Sequence, residues 1–543
     1  MKSFWKILLT IAILFCSMMI VLSVNAASET ERVLRQEFGF PAYIDPITGY
    51  NHVCRVTIAN VYDPLVFPDN KGVPQPWVAK SWDISPDGLT YTFSLRDDIK
   101  FHDGAGLSAE DIKFTVERAL TMDSGVAFLF SSIKSAEVID KYTVAFHLHN
   151  LDGTLISKLM SLFILNKDLV MANIDNKEKE FGGMGDYGQK YLLHHDAGSG
   201  PYIIEEINVG DHLRMVKNQN YWKEIAVEAP DVVKWNNVSP EVMLKTLFVN
   251  REIDVSSEDM SLETHEFLDK IEGIDLQDFQ MGIEVFFLLN ASKTPTDDIH
   301  FRKAMAWAFD YESISKIYPR LPQAVGPVPQ EIFGHDPTVF QYHRDLDKAK
   351  EELKQSKYYG ELDQNPVIVQ YGFDVPRFVK LALLLKSNME DIGISVKLEP
   401  LPWSTEIENA SKLETSPNVH IVWVGVDYPE AGSILDVLYS TATQSTVMNN
   451  HWLNMPELDA MIKDATTTID REERRIKYSK IQHFISDLTV DIYLTDYHQT
   501  AVYASAYIDL PQTVGEGIPM STYKWYLPHV KMYPEKLEEL MKK

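Results

Sequence analysis

The segment Ala79 to Leu120, AKSWDISPDGLTYTFSLRDDIKFHDGAGLSAEDIKFTVERAL, constrains the fold of this chain more than any other stretch. From Leu89 to Leu95 the residues alternate strictly, Leu89, Tyr91, Phe93 and Leu95 against Thr90, Thr92 and Ser94. A period of two puts each set on its own face, which is the pattern of a half-buried strand. Pro86-Asp87-Gly88 supplies the turn before it, and Trp82 and Ile84 alternate beyond that turn, so a hairpin is expected. Phe101-His102-Asp103-Gly104 makes a second turn, where Gly104 permits a tight backbone. Ser108 then stands at the N-cap of a helix, with Asp111 in the reciprocal position at N3. Ile112, Val116, Ala119 and Leu120 carry its apolar face. Hairpin, turn and capped helix are architecture and contain no chemistry.

The 543 residues suffice for two or three domains with large cores. The first 26 read as a leader outside the fold. Lys2 and Lys6 form a basic n-region, Ile7 to Leu22 is apolar, and Val24-Asn25-Ala26 offers small residues for cleavage after Ala26. Phe15 precedes Cys16 where a lipoprotein site needs a small residue, so no lipid anchor is expected. The expected location is periplasmic. Past the leader only Cys54 remains, which excludes an intramolecular disulfide. The net charge is −27, and losing Lys2 and Lys6 with the leader leaves about −29. That acidity opposes binding to nucleic acid and to anionic lipid.

Further along, Phe378, Leu381, Leu385, Met389 and Ile392 recur at helical spacing. Gly393 follows as a stop, and Ile394, Val396 and Leu398 alternate as a strand, giving a helix–glycine–strand unit of an α/β domain. His420 to Val424 reads as another strand running into Gly425-Val426-Asp427. Ligands of open α/β sheets sit at the carboxyl ends of strands, which places Asp427 well.

The 79–120 segment also resembles the signature of the family 5 extracellular solute-binding proteins, the peptide- and nickel-binding subunits of ABC importers. The resemblance continues in chain order through GSGPYIIEE (Gly198 to Glu206) and NQNYW (Asn218 to Trp222). It extends through LLNASKTPTDDIHFRKAMAWAFDYESI (Leu288 to Ile314), DIGISVKLEPLPW (Asp391 to Trp403) and VWVGVDYPEAGSILD (Val422 to Asp436). It implies an α/β, two-lobed periplasmic-binding-protein fold (type II, cluster C-like) with an extra domain on the first lobe. Domain I is then expected at 27–68, 199–281 and 501–543, domain II at 69–198, and domain III at 282–500, with hinge crossings near Met281 and Thr500. The implied function is capture of a short peptide between hinged lobes and delivery to an ABC permease with separate ATPase subunits. The implied protein is a monomer without cofactor. Within the same fold an oligosaccharide, a metal chelate or another solute is the alternative ligand, and a ligand-presenting sensor or chaperone-like binder the alternative role.

By the same resemblance Asp427 pairs with the ligand's amino group, and Trp403 and Trp423 line side-chain pockets. The loop Thr48 to His52 brings Tyr50, Asn51 and His52 to the ligand, and Arg377 is the candidate clamp for a carboxylate. His102 is read as architecture, and His194-His195 as opposite faces of a strand rather than metal ligands. Gly183 to Gly188 satisfies GxGxxG by spacing but follows the charged run NKEKEF instead of a buried strand. There is no P-loop, GxSxG or HExxH, and no enzyme is expected.

Overall fold

The computed structural model describes residues 31–176, 181, 183–237, 240–257 and 260–542. The leader and its cleavage site lie outside the described residues. Strand β1 (Val33–Glu37) opens the first sheet, and helix α1 (His52–Val61) follows. Asn51 caps α1 by accepting the Cys54 amide at 2.9 Å. Every residue of α1 from Cys54 to Val61 is buried, as the apolar sequence HVCRVTIANV demands.

The expected hairpin is formed by β2 (Ala79–Ile84) and β3 (Thr90–Leu95), with Trp82 opposite Phe93. Tyr91, Phe93 and Leu95 point into the core while the intervening residues stay half-exposed. Helix α2 (Ala109–Met122) starts from the Ser108–Asp111 capping box. With β4 (Ile133–Asp140) and β5 (Thr143–Leu148) the hairpin makes an antiparallel sheet in the order β2-β3-β5-β4. His102 lies 2.7 Å from Asp196 through Nδ1 and 3.0 Å from the Gly200 carbonyl through Nε2, which ties this sheet to the chain leading back to the first one. His194 and His195 are not on a strand. They follow a single tight turn, Tyr191–Leu193, because the consecutive apolar residues there sustain no alternation.

Strands β6 (Tyr202–Asn208), β7 (His212–Lys217) and β8 (Val232–Asn236) complete the first sheet in the order β1-β8-β7-β6. Helices α3 (Glu241–Val249) and α4 (Leu262–Leu268) lead out of it. The second lobe contains β9 (Asp275–Leu289), β10 (Val367–Gly372), α5 (Pro376–Glu390), β11 (Val396–Leu401) and α6 (Trp403–Ala410). It continues through β12 (Val419–Gly425), α7 (Arg471–Leu488) and β13 (Asp491–Tyr503). Its sheet runs β11-β10-β12-β9-β13, with β10 parallel to both neighbours. The helix–glycine–strand unit is α5, Gly393 at φ +81°, and β11.

Two strands join the lobes. Phe279 and Met281 of β9 and Ala501 to Tyr503 of β13 lie in the core of the first lobe. Val285, Phe287 and Leu289, with Ile492 and Leu494, lie in the core of the second. The antiparallel β9–β13 pair therefore passes from one core into the other, and its register breaks between Gln280 and Ile283. Gly282 occupies that break at φ +63°, where a β-carbon would stand 2.8 Å from the Val426 side chain and 2.9 Å from that of Ile332. Only glycine suits both the backbone and the space.

Candidate ligand cleft

Two cavities flank the carboxyl end of β12, between the lobes. The first has a volume of about 330 Å³ and is lined by Tyr50, Asn51, His52 and Arg55 from the first lobe and by Val424 to Asp427 from the second. The strand ends at Gly425, so Asp427 stands in the loop beyond it, at the position where α/β sheets hold ligands. The Ser433 hydroxyl accepts the Asp427 amide at 2.8 Å and fixes the loop. The Tyr50 hydroxyl donates to Asp427 Oδ1 at 3.1 Å across the cleft.

Electrostatics set this carboxyl apart. Burial raises it to about 6, against the lowering effects of the Tyr50 hydrogen bond and of Arg55. Arg55 sits beneath it in α1, donating to the Pro46 carbonyl at 3.2 Å, and burial pushes the guanidinium down to about 10. Among the described residues Asp427 makes no ion pair. Burial, and then the charge of Lys524, hold His52 well below the usual imidazole range, so it faces the cavity uncharged. Val126, Leu129, Val437 and Met448 supply an apolar wall.

The second cavity, about 590 Å³, lies on the other side of β12 and is lined by Glu241 and Met260 from the first lobe and by Tyr318, Arg377, Trp423 and Tyr497 from the second. Arg377, in the first turn of α5, has its guanidinium carbon 5.1 Å from the Tyr318 ring centre and 6.0 Å from that of Tyr497. Among the described residues no carboxylate pairs with it. Lys316 and Lys380 stand on the same wall. The buried His265 of α4 is driven to about 4, by burial first and then by Arg377 and Arg320. The second cavity thus carries three cations, Lys316, Arg377 and Lys380, against two carboxylates, Glu241 and Asp374, and is aromatic, while the first holds one acid, Asp427, and one base, Arg55.

The structure brings Tyr50, Asn51, His52 and Asp427 together around one cavity and Arg377 and Trp423 around the other. Asn51 is not simply a loop residue, since capping α1 occupies its side-chain oxygen. Trp423 is 42% exposed, edged by Phe378 at 4.7 Å and Tyr497 at 6.3 Å. Trp403 is the first residue of α6, is 44% exposed, and lines neither cavity. The sequence reading passed over Arg55, Tyr318 and Tyr497. Arg55 carried a signal, a lone charge in an otherwise apolar helix. The two tyrosines carried none, because they converge from segments far apart in the chain.

Two α/β lobes joined by continuous strands, with a pair of cavities at the crossing, define a bilobal ligand-binding protein. The family model of bacterial extracellular solute-binding proteins, family 5 (middle), matches residues 73–446, and the chain belongs to that family. It is 24% identical over 428 residues to the probable D,D-dipeptide-binding periplasmic protein DdpA of Escherichia coli, covering 77% of this chain and 78% of that protein. Its fold is that of the periplasmic binding protein DppA from Helicobacter pylori, solved with the peptide STSA, at a TM-score of 0.72 and 23% identity over 93% of this chain and 98% of that one. It is also that of NikA from Brucella suis, solved with Fe(III)-EDTA, at a TM-score of 0.78 and 20% identity over 93% and 100%. As a member of a family of solute-binding proteins, this chain is a binding protein.

Proposed function

We propose that this protein captures a short peptide between its lobes and hands it to an ABC importer. The observation that carries this reading is the pair of unmatched charges on either side of β12. Among the described residues neither Asp427 nor Arg377 makes an ion pair, the buried Arg55 acting on Asp427 only from a distance. A zwitterion supplies both, an ammonium for Asp427 and a carboxylate for Arg377. Trp423, which lines the same cavity as Arg377, is four residues from Asp427. At ~3.3 Å per extended residue their backbones are at most about 13 Å apart, a span of two to four peptide residues. Backbone groups at the strand ends can then hydrogen-bond an extended ligand whatever its side chains. The protein works as an exported, periplasmic monomer, its leader removed after Ala26, and the closed form docks on a permease served by separate ATPase subunits.

Asp427→Asn keeps the shape of the site and removes its charge. Leaving a buried ammonium unpaired costs about 3–5 kcal/mol, so peptide affinity measured by calorimetry should fall by two or more orders of magnitude. N-acetylation of the peptide should cause a similar loss in wild type and little further loss in the variant. Equal affinity of wild type and variant would instead mark an uncharged ligand, such as a sugar stacked on Tyr318, Trp423 and Tyr497.

A further inference from the structure

The extra domain, residues 69–198, does more than decorate the first lobe. It reaches across the cleft and seats directly on the second lobe. Gly153 donates its amide to the Thr466 carbonyl at 2.9 Å. Its approach is so close that a β-carbon at Gly153 would lie 1.8 Å from the Thr468 carbonyl oxygen. The Ser157 hydroxyl donates to Glu430 Oε1 at 2.6 Å, with both residues buried. Beside them Ile469 fills the space next to Gly88 in the turn of the hairpin.

The receiving surface is held ready by one side chain. Arg474 of α7 binds both oxygens of Glu430, at 3.0 and 2.9 Å, and also donates to the carbonyls of Thr468 and Ile469 at 2.9 and 2.8 Å. This pair belongs entirely to the second lobe. Separation of the extra domain therefore leaves this pair intact, and Lys158, which faces Tyr428 and Asp436 across the contact, keeps its own partner Asp152 at 2.8 Å, so the contact can open and close reversibly.

The same surface carries the ligand loop. Tyr428, next to Asp427, is buried in the core of the first lobe and extra domain rather than in its own lobe, with Lys158 5.5 Å from its ring centre. Pro429 packs on Gly72. Asp427-Tyr428-Pro429-Glu430 is thus one continuous strip, of which the first residue faces the cavity and the other three face the extra domain.

We propose that the extra domain is the clasp of the cleft, and that Gly153 and Ser157 are positioning residues that set ligand affinity without touching the ligand. Docking orders the 427–430 strip, and with it the Asp427 carboxyl, in the ligand-receiving geometry. The docked state is populated before ligand arrives, and ligand affinity scales with that population. The link to affinity rests on the cleft being the ligand site. The clasp itself does not.

The experiment places nitroxide labels on the exposed Ile139→Cys in the extra domain and Ile476→Cys in the second lobe, the native Cys54 being buried. Pulsed dipolar spectroscopy of the ligand-free leaderless protein should resolve a docked distance. Gly153→Ala should cut the ratio of docked to undocked molecules at least tenfold, with an unchanged circular dichroism spectrum. Ser157→Ala combined with Ile469→Ala should shift it the same way, and this variant decides the matter if Gly153→Ala does not fold. Trialanine affinity should fall by the factor lost in the docked population. A wild type with no docked distance, or folded variants with the wild-type distribution, would overturn the clasp. If the variants undock while trialanine binds neither them nor the wild type, the clasp stands and the peptide reading fails.

Discussion

At the scale of single residues the cleft depends on where two charges lack partners. Asp427 is half-buried at the cleft wall, and its partial desolvation, outweighing the Tyr50 hydrogen bond and the charge of Arg55, keeps its proton on to about pH 6. The sign follows. An acid raised in the folded state favours folding most below its unfolded value, and that contribution is lost as pH rises through 6. An ammonium ligand reverses the preference, because it binds the ionised form. Peptide affinity should therefore be flat above about pH 6.5 and fall roughly tenfold per unit below 6. In Asp427→Asn that slope should vanish. Calorimetry from pH 4.5 to 7.5 checks both, and an affinity for peptide that ignores pH would separate Asp427 from the ligand amine.

The decisive elements are the two long strands β9 and β13, which carry the chain between the cores. Just beyond the register break Glu284 and Asp496 face each other as neighbours in the ladder, both essentially unexposed. Among the described residues neither Glu284 oxygen has a hydrogen-bond partner, while Asp496 accepts the Gln330 amide at 3.3 Å. The other charges facing them, Glu331 and Asp491, are also acidic. Burial, then these carboxylates, raise Glu284 well above the usual range, and burial and Glu331 raise Asp496 to about 8. Both acids hold protons when folded that they release on unfolding, so stability should decline as pH rises from about 4 to 8. Asp496→Asn removes one of them. Its melting temperature relative to wild type should climb between pH 5 and pH 8, by a few degrees for a gain on the order of 1 kcal/mol. A constant difference across that range would show that Asp496 is ionised in the native hinge.

For the whole molecule, contacts from both lobes to one ligand favour the closed population, since a ligand shifts an equilibrium by its differential affinity for the two states. A bound peptide should lower the radius of gyration in small-angle scattering and raise the melting temperature. At a concentration of ~100 dissociation constants the added stability is about 2.7 kcal/mol. A tight binder that leaves the radius unchanged, in a protein whose ligand-free form is not already docked, would place its site outside the hinge.

What the sequence determined by itself was local or recorded in long motifs. The alternation of Leu89 to Leu95, the Ser108–Asp111 cap, the α5–Gly393–β11 unit and the strand before Asp427 all depend on neighbours within a few residues, and each is formed. The family signature spans most of the chain, so the two-lobed fold was legible from it. Convergence was not. Arg55 lies under Asp427, Tyr318 and Tyr497 enclose Arg377, and Gly153 meets Thr468, through pairings of residues distant in sequence. Periodicity carries no record of such distances. Nor does periodicity say that Trp403 lines neither cavity, because the start of a helix, unlike a strand, assigns a side chain to a face only once its packing partner is known. Tertiary structure decided which charges meet at the cleft without forming an ion pair, and the proposed site rests on them.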